Sequence, residues 1–375
     1  MTSDRCRQRV DATIRADVLA LGRYAASSAD GWIKLDAMEN PYPPTAELRA
    51  ALAQTLAGVD VNRYPDSDAR AVKRALREHL VLDDGVGLLV GNGSDEIIQL
   101  LTAAVAGEDA VVLAPEPSFV MYRRNALVAR ARYVGVPLAD DFALDGDAML
   151  TAIARERPAL VWLAFPNNPT GNAFDVAAIE RVIAAAPGLV AIDEAYYAFA
   201  DTSFLSRVLD YPNVVVVRTI SKVGMAGLRL GYVCGDPAWI DALERIRPPY
   251  NVNSLTQAAA PVMLQHAGVF AAQAHEMRQE RTRVHRALAA LPGLRAFATQ
   301  TNFVLVRVPD ARTWFAALCD ARILVKNLDG AHPLLANCLR ITVGTPPEND
   351  AVLQTLQRAF GRSGADVPTL VEERA

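Results

Sequence analysis

The stretch "NVVVVRTISKVGMAGLRLGYVCG", residues 213–235, sets four consecutive valines, Val214 to Val217, ahead of a polar turn and a second short apolar run. A strand covered on one face alternates apolar and polar residues, whereas an unbroken apolar run of four to eight fits a strand buried on both faces. The same signature recurs upstream in "GLLVG", "AVVLAPE", "ARYVGVPL", "ALVWLAFP" and "LVAIDEAY". Between these runs lie amphipathic stretches of helical spacing, among them "SDEIIQLLTAAV", "SFVMYRRNALVAR", "DAMLTAIARER" and "DVAAIERVIAAA". Strand and helix in alternation predict an α/β domain on a mostly parallel sheet with helices covering its faces.

After about Ser254 the pattern changes to long helices, "SLTQAAAPVMLQH" and "AAQAHEMRQERTRVHRALAAL". Then "TNFVLVRV", "ARTWFAALCDAR", "LRITVGT" and "ENDAVLQTLQRAF" alternate strand and helix again. The expected organisation is a large domain over 46–260 and a smaller α/β domain made of 1–45 and 261–375, with "GRSGADVPTLVEERA" as a tail.

Composition narrows the function classes. With 375 residues, 51% hydrophobic and 21% charged, the chain is long enough for two domains around a large core. A formal charge of −4 and dispersed basic residues supply no field for nucleic acid, so no nucleic-acid partner is expected. No apolar run reaches the roughly 18 residues of a membrane span, and the charged start "MTSDRCRQRVDATIRADVLALG" is unlike a signal peptide, so a cytoplasmic location is expected. Cys6, Cys234, Cys319 and Cys338 form no CxxC pair and the five histidines no HExxH spacing, so no metal site is expected.

Ligands of parallel α/β sheets bind beyond the carboxyl ends of the strands, which directs attention to the residues after each apolar run. Gly91-Asn92-Gly93 lead into a helix at Ser94-Asp95-Glu96. Glycines let the backbone approach a ligand and a helix start favours a phosphate, although a plain turn with Ser94 or Asp95 capping the helix reads equally well. "NNPTG", 167–171, reads as a turn or as a donor for a ring oxygen. Asp193 and Glu194 follow four apolar residues, and the acidic element of an ATPase is one reading. That reading lacks its partner, because none of the four lysines (34, 73, 222, 326) follows a glycine as a P-loop requires. Another positive partner for Asp193, such as a protonated pyridine nitrogen, serves instead. Ser221 and Arg229 suit a phosphate ester, and Lys222 between them suits condensation with an aldehyde. Arg340, at the start of a strand of the smaller domain, reads equally as structural or as facing the cleft.

A phosphate, a pyridinium, a ring oxygen and an aldehyde are together the handles of pyridoxal 5'-phosphate. The chain resembles the fold-type I PLP-dependent aminotransferases, and among them the histidinol-phosphate aminotransferases, over roughly residues 15 to 360. The motifs stand in the family's order: "ENPY", "NRYPD", "GNGSDE", "NNPTG", "DEAY", "SK" with "AGLRLGY", and "LRITVGT". The resemblance implies a large domain with a mostly parallel seven-stranded sheet sandwiched by helices, plus the smaller α/β domain. By similarity, Lys222 would bind the cofactor covalently and carry the reacting proton. Asp193 would keep the ring nitrogen protonated, Asn168 and Tyr196 would bond the ring oxygen, and Phe119 would stack on the ring where the family often has tyrosine. Ser221, Arg229 and the backbone N–H groups of Ser94 and Asp95 would take the phosphate. Tyr64 would reach the phosphate of a neighbouring subunit, which implies a homodimer with shared active sites.

Arg340 would bind the substrate's anion, with Lys326 and Tyr24 as further substrate contacts. The implied reaction is ping-pong amino transfer between L-histidinol phosphate and 2-oxoglutarate in histidine biosynthesis. An aromatic amino-acid aminotransferase or a threonine-phosphate decarboxylase is the alternative, and a PLP-binding regulator or a silent relative ranks well below the enzymes. The family more commonly has one residue more between the lysine and "AGLR".

Overall fold

The computed structural model describes residues 2–22, 30–107 and 109–363. Twelve strands are found among them: β1 Ile33–Leu35, β2 Gly87–Gly91, β3 Val111–Glu116, β4 Arg132–Pro137, β5 Leu160–Ala164 and β6 Leu189–Asp193. The others are β7 Val214–Thr219, β8 Gly231–Gly235, β9 Arg295–Ala296, β10 Phe303–Arg307, β11 Ile323–Asn327 and β12 Cys338–Thr342. Seven of these make one sheet in the order β2-β8-β7-β6-β5-β3-β4. Only β8 runs against its neighbours, β2 and β7, so the sheet is mostly parallel as expected.

The four valines of β7 show why the run is unbroken. Val214 and Val216 point into the core on one face of the sheet, and Val215 and Val217 into the core on the other. A strand's side chains alternate between faces, so an apolar layer on each side demands an apolar residue at every position. Helices such as Ser94–Val105, Gly146–Glu156 and Val176–Ala185 supply those layers.

The second sheet has the order β1-β11-β12-β10-β9. Its β1 comes from the N-terminal segment and pairs in parallel with β11, Leu35 opposite Val325. Alternation along β12 divides its side chains by face. Leu339 and Ile341 enter the core of this sheet with Val304, Val306 and Val325, whereas Cys338 joins the core cluster of the large sheet. Arg340 and Thr342 share the face of Cys338. Leaving β1, the chain stays tied to the second sheet: Met38 donates its N–H to Thr342 Oγ1 at the end of β12 at 3.1 Å, and Asn302 Nδ2, just before β10, donates to Met38 O at 2.9 Å. Among the described residues no helix is long and apolar enough to cross a membrane.

Candidate active site

Beyond the carboxyl ends of β5, β6 and β7 lies a cleft. Its walls bring together Ser94, Asp95, Phe119, Asn168, Asp193, Tyr196, Ser221, Lys222 and Arg229, residues spread over 136 positions of sequence. All nine are among the site residues expected from sequence.

At one end is a cradle for an anion. Gly93 stands at the N-cap of helix Ser94–Val105 with φ +82°, a backbone state that favours glycine, and no side chain caps the helix. The turn reading of Ser94 or Asp95 as the cap is therefore not what the structure adopts. A Cβ on Gly93 would lie 2.5 Å from Arg229 Nη2, and one on Gly231 would strike the backbone nitrogen of Ser94. Glycine at both places lets the N–H groups of the helix start and the guanidinium converge, which is the arrangement that holds a phosphate. Ser221 Oγ lies 2.9 Å from Thr219 Oγ1 and accepts from Arg229 Nη1 at 3.4 Å. Arg229 Nη2 also meets Asp95 Oδ2 at 3.2 Å. The short loop after Lys222 folds as two 3-10 turns and still delivers Arg229 to the cradle.

At the other end Asp193 is buried at the end of β6. Its Oδ2 accepts from Tyr122 Oη at 2.7 Å and its Oδ1 from the Ala195 N–H at 3.1 Å. Burial pushes the carboxyl up to about 6 despite these two donors, with Asp95 and Glu194 adding a smaller push. The adjacent Glu194 is buried as well, but Arg218 meets it with two bonds of 2.8 and 2.9 Å. No ion pair among the described residues neutralises Asp193. A buried carboxylate without a cation is unstable alone, so a ligand that carries a cationic N–H group would fit beside it.

Between the two ends Lys222 donates from Nζ to Ala37 O at 2.9 Å. Loss of hydration first, and the charge of Arg340 second, pull its amine down to about 8. A lysine in that range is a usable nucleophile and proton carrier near neutral pH. Arg340 is buried and spans the two sheets: Nη1 donates to Asn168 Oδ1 at 2.6 Å and Nη2 to Asp36 O at 2.9 Å, while the guanidinium lies 5.3 Å from the Phe303 ring centre. With Oδ1 turned to Arg340, the Asn168 amide keeps its Nδ2 as a donor. Its neighbour Asn167 is instead tied into the turn, donating to Pro117 O and Thr170 Oγ1 and accepting from Ser118 Oγ. Tyr196 is buried edge-on against Phe303.

Four expected residues are not among these walls: Arg340, which meets them through Asn168, and three others. Lys326 is exposed on β11, directly opposite Arg340 in register and so on the same face of the sheet. Tyr64 is 81% exposed and stacks on Tyr250 with ring centres 4.5 Å apart, away from its own chain's cleft. Tyr24 falls outside the described residues.

Sequence reasoning missed Tyr122, Thr219 and Met38, which also line the cleft. Tyr122 stands three residues after Phe119, which places it on the same side of a helix start but carries no sign of what its hydroxyl meets.

These residues fit pyridoxal 5'-phosphate: the cradle matches its phosphate, the unneutralised Asp193 its ring nitrogen, and the amine of Lys222 its aldehyde. The comparisons with known proteins agree. The family "Aminotransferase class I and II" matches residues 30–356. A histidinol-phosphate aminotransferase of Chromobacterium violaceum is 52% identical over 94% of this chain and 99% of its own length. Histidinol-phosphate aminotransferase 1 of Burkholderia lata is 53% identical over 92% of this chain and 98% of its own. The crystal structure of the histidinol-phosphate aminotransferase from Sinorhizobium meliloti, in complex with pyridoxal-5'-phosphate, superposes with a TM-score of 0.82 at 26% identity, covering 94% of this chain and 98% of that one. From its fold, its cleft and these relatives, the chain belongs to the class I and II aminotransferases and, within them, to the histidinol-phosphate aminotransferases.

Proposed function

We propose that this chain transfers the amino group between L-histidinol phosphate and 2-oxoglutarate, giving imidazole acetol phosphate and L-glutamate, as a step of histidine biosynthesis. It is a PLP-dependent enzyme. The observation that carries the residue assignments is the pairing, in one cleft, of a buried carboxylate that lacks a cation with a lysine amine drawn down to about 8. When bound, the cofactor supplies an aldehyde that condenses with amines and a protonated ring that withdraws electrons from the substrate's α-carbon.

The residues of the chain do the rest. Asp193 accepts the ring N–H and neutralises its charge. Asn168 Nδ2 and the Tyr196 hydroxyl bond the ring oxygen, and Phe119 covers the ring. Ser221, Arg229 and the N–H groups of Ser94 and Asp95 fix the phosphate. Lys222 Nζ would hold the cofactor's aldehyde and, as a free amine, would carry the proton to and from the amine-bearing carbon of the substrate. Arg340 binds the substrate's anion and exchanges its bond to Asp36 O or Asn168 Oδ1 for an oxygen of that anion. Lys326, on the same face, adds a second cation for the doubly charged phosphate of histidinol phosphate.

The exposure of Tyr64 supports a homodimer with shared sites, in which Tyr64 reaches the phosphate of a second copy. Residues 1–45 and 261–375 form the smaller domain in this reading and 46–260 the larger. The enzyme works in the cytoplasm. Glutamate release from histidinol phosphate plus 2-oxoglutarate tests the reaction. Turnover of L-phenylalanine with no turnover of histidinol phosphate would replace it by aromatic amino-acid transfer.

A further inference from the structure

This inference rests on the reading above that Asp193 faces the ring nitrogen of the cofactor. We propose that Tyr122 is a positioning residue which, by donating its hydroxyl hydrogen to Asp193, keeps the shared proton on the ring nitrogen rather than on the carboxylate. A proton between a buried carboxylate and a pyridine nitrogen resides on whichever group is the stronger base in that environment. Burial disfavours charges and drives the proton onto the carboxylate, leaving both partners neutral, whereas every donor to the carboxylate drives it back. Asp193 has two donors from the chain, the Ala195 N–H at 3.1 Å and the Tyr122 hydroxyl at 2.7 Å. The phenol is the shorter, and it is the one that sequence can change.

The surroundings of Tyr122 hold its ring in place. The ring is fully buried and lies flat on Trp162, with centres 4.7 Å apart and planes 5° from parallel. Phe119 closes the other side edge-on at 5.7 Å. Trp162 comes from β5 and Asp193 from the neighbouring β6, Trp162 opposite Ala191 and, two pairs on, Ala164 opposite Asp193, so the ring and its acceptor are held by one rigid piece of sheet. Burial also holds the phenol proton firmly, well above the usual tyrosine range, so Tyr122 acts as a donor and not as a proton shuttle.

The test uses holoenzyme loaded with cofactor that carries nitrogen-15 in its ring, whose chemical shift reports whether that nitrogen is protonated. In the wild type the signal should sit at the protonated position, and in Tyr122→Phe it should move toward the unprotonated one. Loss of a bond to a charged group should lower kcat by about ten- to a hundredfold, with KM changed by less than about threefold. In an Asp193→Asn background the same substitution should change kcat by less than about twofold, because its effect passes through the carboxylate. Trp162→Phe, which loosens the stack but leaves the hydroxyl, should keep the protonated signal. The proposal fails if the Tyr122→Phe signal coincides with the wild type, if the losses multiply in the double variant, or if Trp162→Phe moves the signal as far. Should Tyr122→Phe alone not fold, the double variant, which leaves no buried charge without its donor, must fold; failure of both overturns the proposal. A wild type that takes up no cofactor, or holds it with an unprotonated ring, removes the reading of Asp193 itself. An unmoved signal over a protonated wild type removes only the part given to Tyr122.

Discussion

Asp193→Asn should weaken the enzyme and strengthen the cofactor-free protein. The folded carboxyl titrates at about 6 against an ordinary value of 3.8, chiefly because it is buried. Its folded value is raised, so the acid form is the one the fold favours: the stability is whole below the ordinary value and is lost as pH rises through about 6. At about 1.4 kcal/mol for each pH unit between the two values, the ionised carboxylate costs the cofactor-free protein about 3 kcal/mol above pH 6. Asparagine removes that cost and keeps both neighbours satisfied, since its oxygen accepts from the Ala195 N–H and its nitrogen donates to the Tyr122 oxygen. Catalysis moves the other way. A carboxylate and a ring cation about 4 Å apart attract by roughly 4 kcal/mol at an effective dielectric near 20. Losing the ring charge should therefore cut kcat by on the order of a thousandfold. Urea unfolding of the cofactor-free proteins at pH 4 and pH 8, beside kcat of the holoenzymes, measures both effects. A variant less stable than wild type at pH 8, an equal advantage at pH 4, or a kcat within threefold of wild type would each refute the reasoning.

Three further outcomes follow from other parts of the cleft. Covalent capture of added cofactor by Lys222 needs its neutral amine, so the capture rate should rise with pH with a midpoint at about 8; a midpoint near the ordinary lysine value of 10.5 contradicts the buried amine. Arg340→Ala removes a buried charge from an anion site, and KM for histidinol phosphate should rise by about thirtyfold or more, with a smaller rise for phenylalanine; equal rises mean both substrates use one shared contact. Gly93→Ala places a Cβ 2.5 Å from Arg229 Nη2 on a backbone of φ +82°. Cofactor affinity, measured by fluorescence titration, should fall at least tenfold, and an unchanged affinity contradicts the cradle.

The sheet was legible because burial on two faces leaves a simple mark: every position of Val214–Val217 is apolar, and each valine meets one of the two cores. Asp193, Ser221 and Lys222 were legible because they interrupt such runs at the carboxyl ends of strands, where parallel sheets place their ligands. Tyr122 was not, because an aromatic residue inside a helix looks the same whether its hydroxyl meets a carboxylate or nothing. Its role appears only when β5 and β6 bring Trp162 and Asp193 alongside. The bond from Arg340 to Asn168 joins residues 172 positions apart and depends on how the two sheets meet. Ala37 and Asp36 act through backbone carbonyls, for which side-chain identity carries no signal. Met38 reaches the cleft only because β1 is drawn across the chain to pair with β11.

The central claim, a lysine-held cofactor that serves histidinol phosphate, is tested most directly by the visible absorption of the purified protein titrated with L-histidinol phosphate and, in parallel, with L-phenylalanine. A yellow band attached to Lys222, absent in Lys222→Ala, should bleach with histidinol phosphate at far lower concentration than with phenylalanine. A band that only phenylalanine bleaches, or a protein that takes up no cofactor at all, would contradict it.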